Sequence, residues 1–336
     1  MQQFISDQIM ALGLPQWTFN VVWALIQGLL VLVFILFNAL FLIWLERKVS
    51  GHIQLRVGPM RTGFHGALQT LADALKLLGK EDIIPSSADR AVFVIAPIIA
   101  FASAMLVYVV IPWSPNLIVQ DLNIGLIYIA AVSSLLTLAL LSAGWSSNNK
   151  WSLLGAMRSA SQLISYEVSL VLSIVSVALL AGTLSLNGIV QAQQEWGLWF
   201  VVLQPIGVFV FLTATLAELN RAPFDMPEAE SELVAGYSTE YSGMRWAYFM
   251  LAEYSALLAA GALNAVLFWG GWSGPFLPPA VWMLIKVYGF VFLAMWIRWS
   301  FPRIRVDHLM NLGWKVLLPL AVVQLLITAI IVVVWG

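Results

Sequence analysis

Glu218, Asp225, Glu228, Glu230, Glu232, Glu240 and Glu253, seven of the chain's seventeen acidic residues, fall within 36 positions that hold only two basic residues, Arg221 and Arg245. Carboxylates packed this closely raise one another's proton affinity, so the chemistry open to them is proton binding and relay. Glu228 and Glu232 repeat the same sign at i and i+4, an arrangement mildly destabilising on an isolated helix unless a shared proton or a cation relieves it. A purely structural role competes for part of the set. Asp225-Met226-Pro227-Glu228 reads as a helix-capping box with Gly236 as the helix stop, and a solvated face would cover Glu230. An uncharged apolar run precedes the stretch and another begins inside it. At mid-depth in lipid the seven would cost roughly 2.5 to 3.5 kcal/mol each, about 20 kcal/mol together, which exceeds the net stability of a typical domain. They must face protein or water.

Other ionisable residues sit within or beside apolar runs. Glu167 and Glu253 fall about two turns inside theirs, and an intramembrane carboxylate is a functional-site candidate by default. Glu46 and Glu218 mark the ends of two others, and Lys286 lies within a further one, where it either neutralises a carboxylate or snorkels outward.

The elements that must position these groups are membrane helices. A composition 61% hydrophobic and 10% charged, with mean hydropathy +0.90, is that of an integral membrane protein rather than a soluble domain. Eight apolar runs are long enough to span a bilayer: Thr18 to Leu45, Ala91 to Trp113, Ile124 to Ala143, Ser161 to Leu184, Leu198 to Ala217, Trp246 to Phe268, Pro279 to Ile297, and Lys315 to Trp335. Most of the sixteen Trp lie at run ends, as an interfacial belt requires. Apart from Lys286, every Lys and Arg occupies one of four alternate loops, residues 46–90, 144–160, 218–245 and 298–315, or borders it. The positive-inside rule puts these loops on the cytoplasmic side and both termini on the outer side. Phe64, Ala67, Leu68, Leu71, Leu75 and Leu78 recur at helical spacing in the first loop and predict an amphipathic interfacial helix. The expected fold is an all-α polytopic bundle forming a single transmembrane domain over residues 1–336, without internal repeats. Met1 to Phe19 carries no Lys or Arg, so the N-terminus reads as mature sequence rather than a secretory signal.

The chain has no cysteine, which rules out thiolate metal sites and cysteine-ligated iron–sulfur clusters within it. No glycine-rich nucleotide loop appears, and His52, His65 and His308 are dispersed in loops without metal-ligand spacing. By themselves, these residues describe a membrane bundle with an acidic, hydrated, proton-accessible crevice on its cytoplasmic side.

The loops carry longer signatures: ERKVSGHIQLRVGP from Glu46, LADALKLLGKEDIIP from Leu71, GWSSNNKWSLLGAMRSASQLISYE from Gly144, AELNRAPFDMPEAESELVAGYSTEYSGMRWAYFMLAEY from Ala217 and FPRIRVDHLMNLGWKVLLP from Phe301. In these the chain resembles the H-subunit family of proton-translocating NADH-quinone oxidoreductase, respiratory complex I, over its whole length. The resemblance implies a bacterial plasma-membrane protein at the junction of the membrane and hydrophilic arms that lines the quinone chamber, with the chamber's entrance near the first and sixth spans and the amphipathic helix. It implies a quinone, ubiquinone or menaquinone, as substrate, and no FMN, iron–sulfur cluster or metal held by this chain. Implied partners are the hydrophilic arm with the terminal cluster, the antiporter-like membrane arm and lipid, without nucleic acid. By motif match, Arg47, Arg56, Phe224, Phe249, Met250 and Arg298 are the implied quinone-chamber residues. Glu46, Glu167, Glu218, Asp225, Glu228, Glu230, Glu232, Glu240 and Glu253 are the implied proton path. His308, where the family often has Gln, and the bulky Trp299 and Phe301 depart from the family pattern. Two other readings stay open: a homologous membrane component of an energy-converting hydrogenase or ferredoxin-fed complex, and a stand-alone secondary transporter with a carboxylate relay. Against the last, the large polar loops share one face and no inverted repeat appears.

Overall fold

The computed structural model describes residues 16–227 and 230–335. Among these the chain is all-helical, and seven helices are long and apolar enough to cross a membrane. In chain order the elements are α1 (Gln16–Ile53), the amphipathic α2 (Gln69–Gly79), α3 (Arg90–Leu106), α4 (Gly125–Ser146), α5 (Lys150–Ala181), α6 (Leu186–Trp196), α7 (Pro205–Glu218), α8 (Gly243–Phe268), α9 (Pro279–Ser300) and α10 (Val306–Val334). The exposed Leu68, Leu71, Leu75 and Leu78 lie on or beside α2 and form its outward apolar face.

The fifth expected span is broken. A single turn, Phe200–Leu203, precedes α7, and the two are separated at Gln204. The cause is Pro205, which has no N–H and disfavours helical geometry in the residue before it. Gln204 answers the break with its own side chain: Nε2 donates to the Ser176 carbonyl at 3.0 Å and to Thr328 Oγ1 at 3.3 Å, while Oε1 accepts from Ser176 Oγ at 3.2 Å. The segment still runs from one end of the bundle to the other. Gln193 Oε1 accepts from the Phe200 amide at one end, and Gln162 Nε2 donates to the Ala217 carbonyl at the other.

Two helices begin earlier than their hydropathy suggests. α5 starts at Lys150, three turns before the apolar run, because Asn149 caps it by accepting from the Trp151 amide at 2.9 Å. α8 starts at Gly243, so Glu253 lies nearly three turns inside it. α6, in the connection between α5 and α7, has too few apolar residues to stand out by hydropathy and is held by its Ser185 cap.

α8 is the most enclosed span, with 78% of its best apolar window inside the protein, against 22% for α1 and α10. It therefore forms the axis. α5 packs chiefly against α4, α7 and α10 and presents Gly155, Ala156, Ser159, Ser165, Ser169, Ser173 and Ser176 as buried small residues, which let helices approach closely where apolar attraction alone cannot distinguish protein from lipid. A Cβ on Gly144 of α4 would stand 2.2 Å from Ala156 Cβ, which shows how near α4 and α5 come. The interior divides into two apolar cores. The larger joins α1, α5, α6, α7, α8, α9, α10 and the first half of α4, and the smaller joins α3, the second half of α4, Ala156 and Leu163 of α5, the Tyr237–Tyr241 segment and the start of α8.

Lys286 takes neither of its two sequence-based roles. Its Nζ donates to the carbonyls of Trp269, Gly271 and Ser273 at 2.6, 2.8 and 2.7 Å and lies 4.9 Å from the Trp199 ring centroid. It ties down the turn that follows α8, whose carbonyls have no helical partners.

Candidate functional site

The site is built around the turn that ends α7. Asn220 adopts the left-handed conformation (φ +51°), and the Asn220 and Arg221 amides donate back to Ala217 at 3.1 Å and Leu216 at 3.4 Å. These two bonds are the Schellman pattern, which reverses the chain at a helix end. Gln162 Nε2 of α5 secures the turn through the Ala217 and Phe224 carbonyls at 2.7 and 2.8 Å. Arg221 is thereby directed into the protein instead of the loop solvent, and its side chain is 0% exposed.

There it meets charges from three other helix positions. Arg221 Nη1 lies 3.1 Å from Glu46 Oε2 of α1, and Arg221 Nε lies 2.8 Å from Glu253 Oε1 of α8. Arg298 Nη1 of α9 approaches the same two carboxylates at 2.6 Å for Glu46 and 3.7 Å for Glu253. The Arg221 guanidinium also sits 4.7 Å from the Tyr254 ring centroid. Two guanidinium and two carboxylate groups make a neutral square, the arrangement that allows charges to be withdrawn from water together. Burial alone would lower the Arg221 pKa, but Glu253 and Glu46 outweigh it and hold the group above its ordinary range, permanently charged.

From this square a row of acids leads inward along the seam between the two cores. Glu253 and Glu218 line one cavity of about 30 Å³ together with Asn220, Tyr237 and Phe249. Glu218 and Glu167 line the next, of about 80 Å³, together with Ser103, Ser133 and Thr215 among apolar residues. Glu218 belongs to both. Thr215 Oγ1 and Asn220 Oδ1 are buried without a protein hydrogen-bond partner, and each belongs to a residue lining one of these cavities. Buried polar atoms of this kind call for water, and about 10–15 Å³ of probe-occupied volume is enough for one molecule.

The remaining acids lie apart from that row. Asp225 pairs with Arg303 at 3.0 Å, in backbone that is not helical, so the expected capping box does not form and its Glu228 lies outside the described residues. Nor does Gly236 end the local helix: Glu230–Leu233 is already complete, and Gly236 (φ +55°) opens the following turn. Glu230 falls in that short helix. Glu232 finds the cation that its spacing demands, Arg158 of α5 at 2.6 Å, and that bond holds its carboxyl below the usual range. Glu240 Oε1 accepts from Asn149 Nδ2 at 2.6 Å, joining the loop to the α5 cap.

Among the residues implied as quinone-chamber lining, only Arg298 belongs to the charged square. Phe249 packs edge-on against Tyr237 and Tyr241, with centroids 5.4 and 5.0 Å apart, and borders the smaller acidic cavity. Phe224 is buried 5.8 Å from the Tyr166 ring, and Met250 is half-buried against the larger core. Arg47 pairs with Asp73 of α2, while Arg56 is exposed and donates to Gln54. A wide apolar groove of about 820 Å³ runs between α1 and the α2 segment, bordered by Phe37, Phe41, Trp44, Phe64, Ala67 and Leu71.

Arg221 and Tyr254 were visible in the sequence only as neighbours of acids. The available signal was one arginine among many carboxylates just past an apolar run. Its partner Glu46, marked in the sequence as the end of the first span, lies 175 positions away, and nothing local joins the two.

The sequence matches the NADH dehydrogenase family over residues 26–329. It is 53% identical to the H subunit of NADH-quinone oxidoreductase from Anoxybacillus flavithermus, covering 94% of this chain and 96% of that protein. The corresponding protein of Dehalococcoides mccartyi is 51% identical over 88% of this chain and 83% of its own length, and that of Bacillus cytotoxicus 54% over 85% and 87%. On both counts the chain, an all-helical multi-pass membrane protein, belongs to the NADH dehydrogenase family alongside these NADH-quinone oxidoreductase proteins.

Proposed function

We propose that this chain forms the lipid-side wall of a quinone chamber in an NADH-quinone oxidoreductase and passes the proton demand of quinone reduction inward through Glu253, Glu218 and Glu167. The observation that carries the proposal is the position of Glu218, one carboxylate bordering two successive cavities, with Glu253 on one side and Glu167 on the other. Quinone reduction consumes protons and places transient negative charge in a low-dielectric space, which raises the proton affinity of nearby coupled carboxylates. Moving one charge against 100 mV requires about 2.3 kcal/mol, which corresponds to a pKa change of roughly two units. The square of Glu46, Arg221, Glu253 and Arg298 is neutral and preorganised, so a proton or electron arriving beside it unbalances the field at its two carboxylates, of which Glu253 borders the row of acids.

Electrons come from redox centres in partner proteins of the hydrophilic arm, and protons leave toward the antiporter-like membrane arm. The basic loops face the cytoplasm of a bacterial plasma membrane and the termini face outward. Among the other acids, Asp225, Glu232 and Glu240 tie loops to neighbouring segments. They shape the chamber rim, with Glu228 and Glu230 beside them in sequence. The relatives' shared name, NADH-quinone oxidoreductase, favours this reading over a hydrogenase or a ferredoxin-fed complex.

The groove between α1 and the α2 segment is the entry for the quinone's isoprenoid tail, since it is apolar and opens beside the amphipathic helix. Ala67→Trp should obstruct it. In the assembled complex, activity with a long-tailed quinone is expected to fall several-fold while a short-tailed analogue is reduced at close to the parent rate. Equal loss with both substrates, or none, would place the entry elsewhere.

A further inference from the structure

The outer turn between α8 and α9 presents an apolar tip that takes no part in the charged square or the acid row. Phe276 is fully exposed and Leu277 a little under half exposed. Phe276 also holds a left-handed backbone (φ +68°), which a bulky residue adopts only when its surroundings force it. The forcing groups are visible. Lys286 Nζ grips the carbonyls of Trp269, Gly271 and Ser273, and Trp282 Nε1 donates to the Pro275 carbonyl at 2.7 Å. Gly274 lies so close to the Trp282 ring that a Cβ would come within 2.5 Å of it. A rigid, strained turn thus holds an aromatic ring outward.

Three features point to what surrounds that ring. No charged residue occurs from Gly270 to Ile285, and the one ammonium at the turn, that of Lys286, is engaged by the turn's own carbonyls. The tip continues directly into the outward apolar face of α9, where Val281, Ile285, Phe292 and Trp296 are exposed at helical spacing. From Pro279 to Trp296 that face is about 26 Å long at 1.5 Å per residue, close to the roughly 30 Å of a hydrocarbon core. With Trp296 at the inner boundary, beside Arg298, the tip falls at the outer one.

We infer that the Phe276–Leu277 turn is a membrane anchor that inserts into the outer-leaflet boundary between phospholipid headgroups and acyl chains. It fixes the depth of α9, whose other end carries Arg298. The test is Phe276→p-benzoylphenylalanine in the assembled complex, irradiated in native membranes, with the intact mass of this chain as readout. A light-dependent species heavier by one phospholipid, several-fold above the dark control, is expected. A crosslink to another polypeptide would show that the turn is a protein–protein contact and overturn the lipid assignment. Absence of any light-dependent product would show a tip in water and overturn it equally. If that variant does not assemble, the same probe at Leu277 reads the same tip, with the same outcomes.

Discussion

Arg221→Met is expected to abolish the assembled, active complex or reduce it by roughly 100-fold or more. Removing one partner from a buried ion pair costs about 3–5 kcal/mol, because the charge left behind is stranded away from water. Here two carboxylates would be stranded. Glu46, 4% exposed, and Glu253 would share Arg298 alone, turning a neutral square into one of net negative charge. Arg221→Lys should recover only part of the loss, since an ammonium is a point charge and cannot serve two carboxylates through separate nitrogens as Nη1 and Nε do here. Arg221→Met combined with Glu253→Gln restores charge balance and is expected to assemble better than the single Met variant. Native-gel assembly and quinone reductase rates in membranes provide the measurement. Parent-like assembly and rate in Arg221→Met would mean that the square does not organise the site.

The second large effect is expected from Glu218→Gln. Glutamine keeps the shape of the side chain, so packing against Leu219 and the walls of both cavities is preserved and the complex should assemble normally. What disappears is the titrating group between Glu253 and Glu167. Loss of a positioned proton-transferring residue typically costs about 100-fold or more in the step it serves. Coupled quinone reduction and proton pumping in sealed vesicles should therefore fall together, by that order. Glu218→Asp keeps the carboxylate one methylene shorter and should retain an intermediate rate. Full pumping by Glu218→Gln would remove Glu218 from the path, whatever the cavities look like.

These two residues also show how far a sequence can be read. The spans were legible because a bilayer imposes length and hydropathy on every crossing helix, and α2 was legible because its leucines repeat at helical spacing. The acids were legible as a group because burying them unpaired is so costly. Their sorting into two kinds was not. Glu232 and Glu240 close onto Arg158 and Asn149, while Glu253 and Glu218 border cavities, and the difference depends on α5 passing beside the loop. The fifth crossing reads as one continuous run although Pro205 breaks it, and the repair by Gln204, Ser176 and Thr328 joins residues 28 and 124 positions apart. Single-sequence patterns report periods along a chain and are silent about such pairs. The Asp225 capping box failed for the same reason. A local motif was outweighed by a tertiary partner, Arg303, which is 78 positions away.

The most direct measurement is a redox-triggered infrared difference spectrum of the purified, membrane-embedded complex, comparing oxidised and reduced quinone in the parent and in Glu218→Gln. Protonation of buried carboxylates on quinone reduction should appear as a carboxylic-acid carbonyl band in the parent, and that band should be lost or sharply reduced in the variant. A parent spectrum with no carboxyl change, or a band unaffected by Glu218→Gln, would contradict proton transfer along Glu253, Glu218 and Glu167.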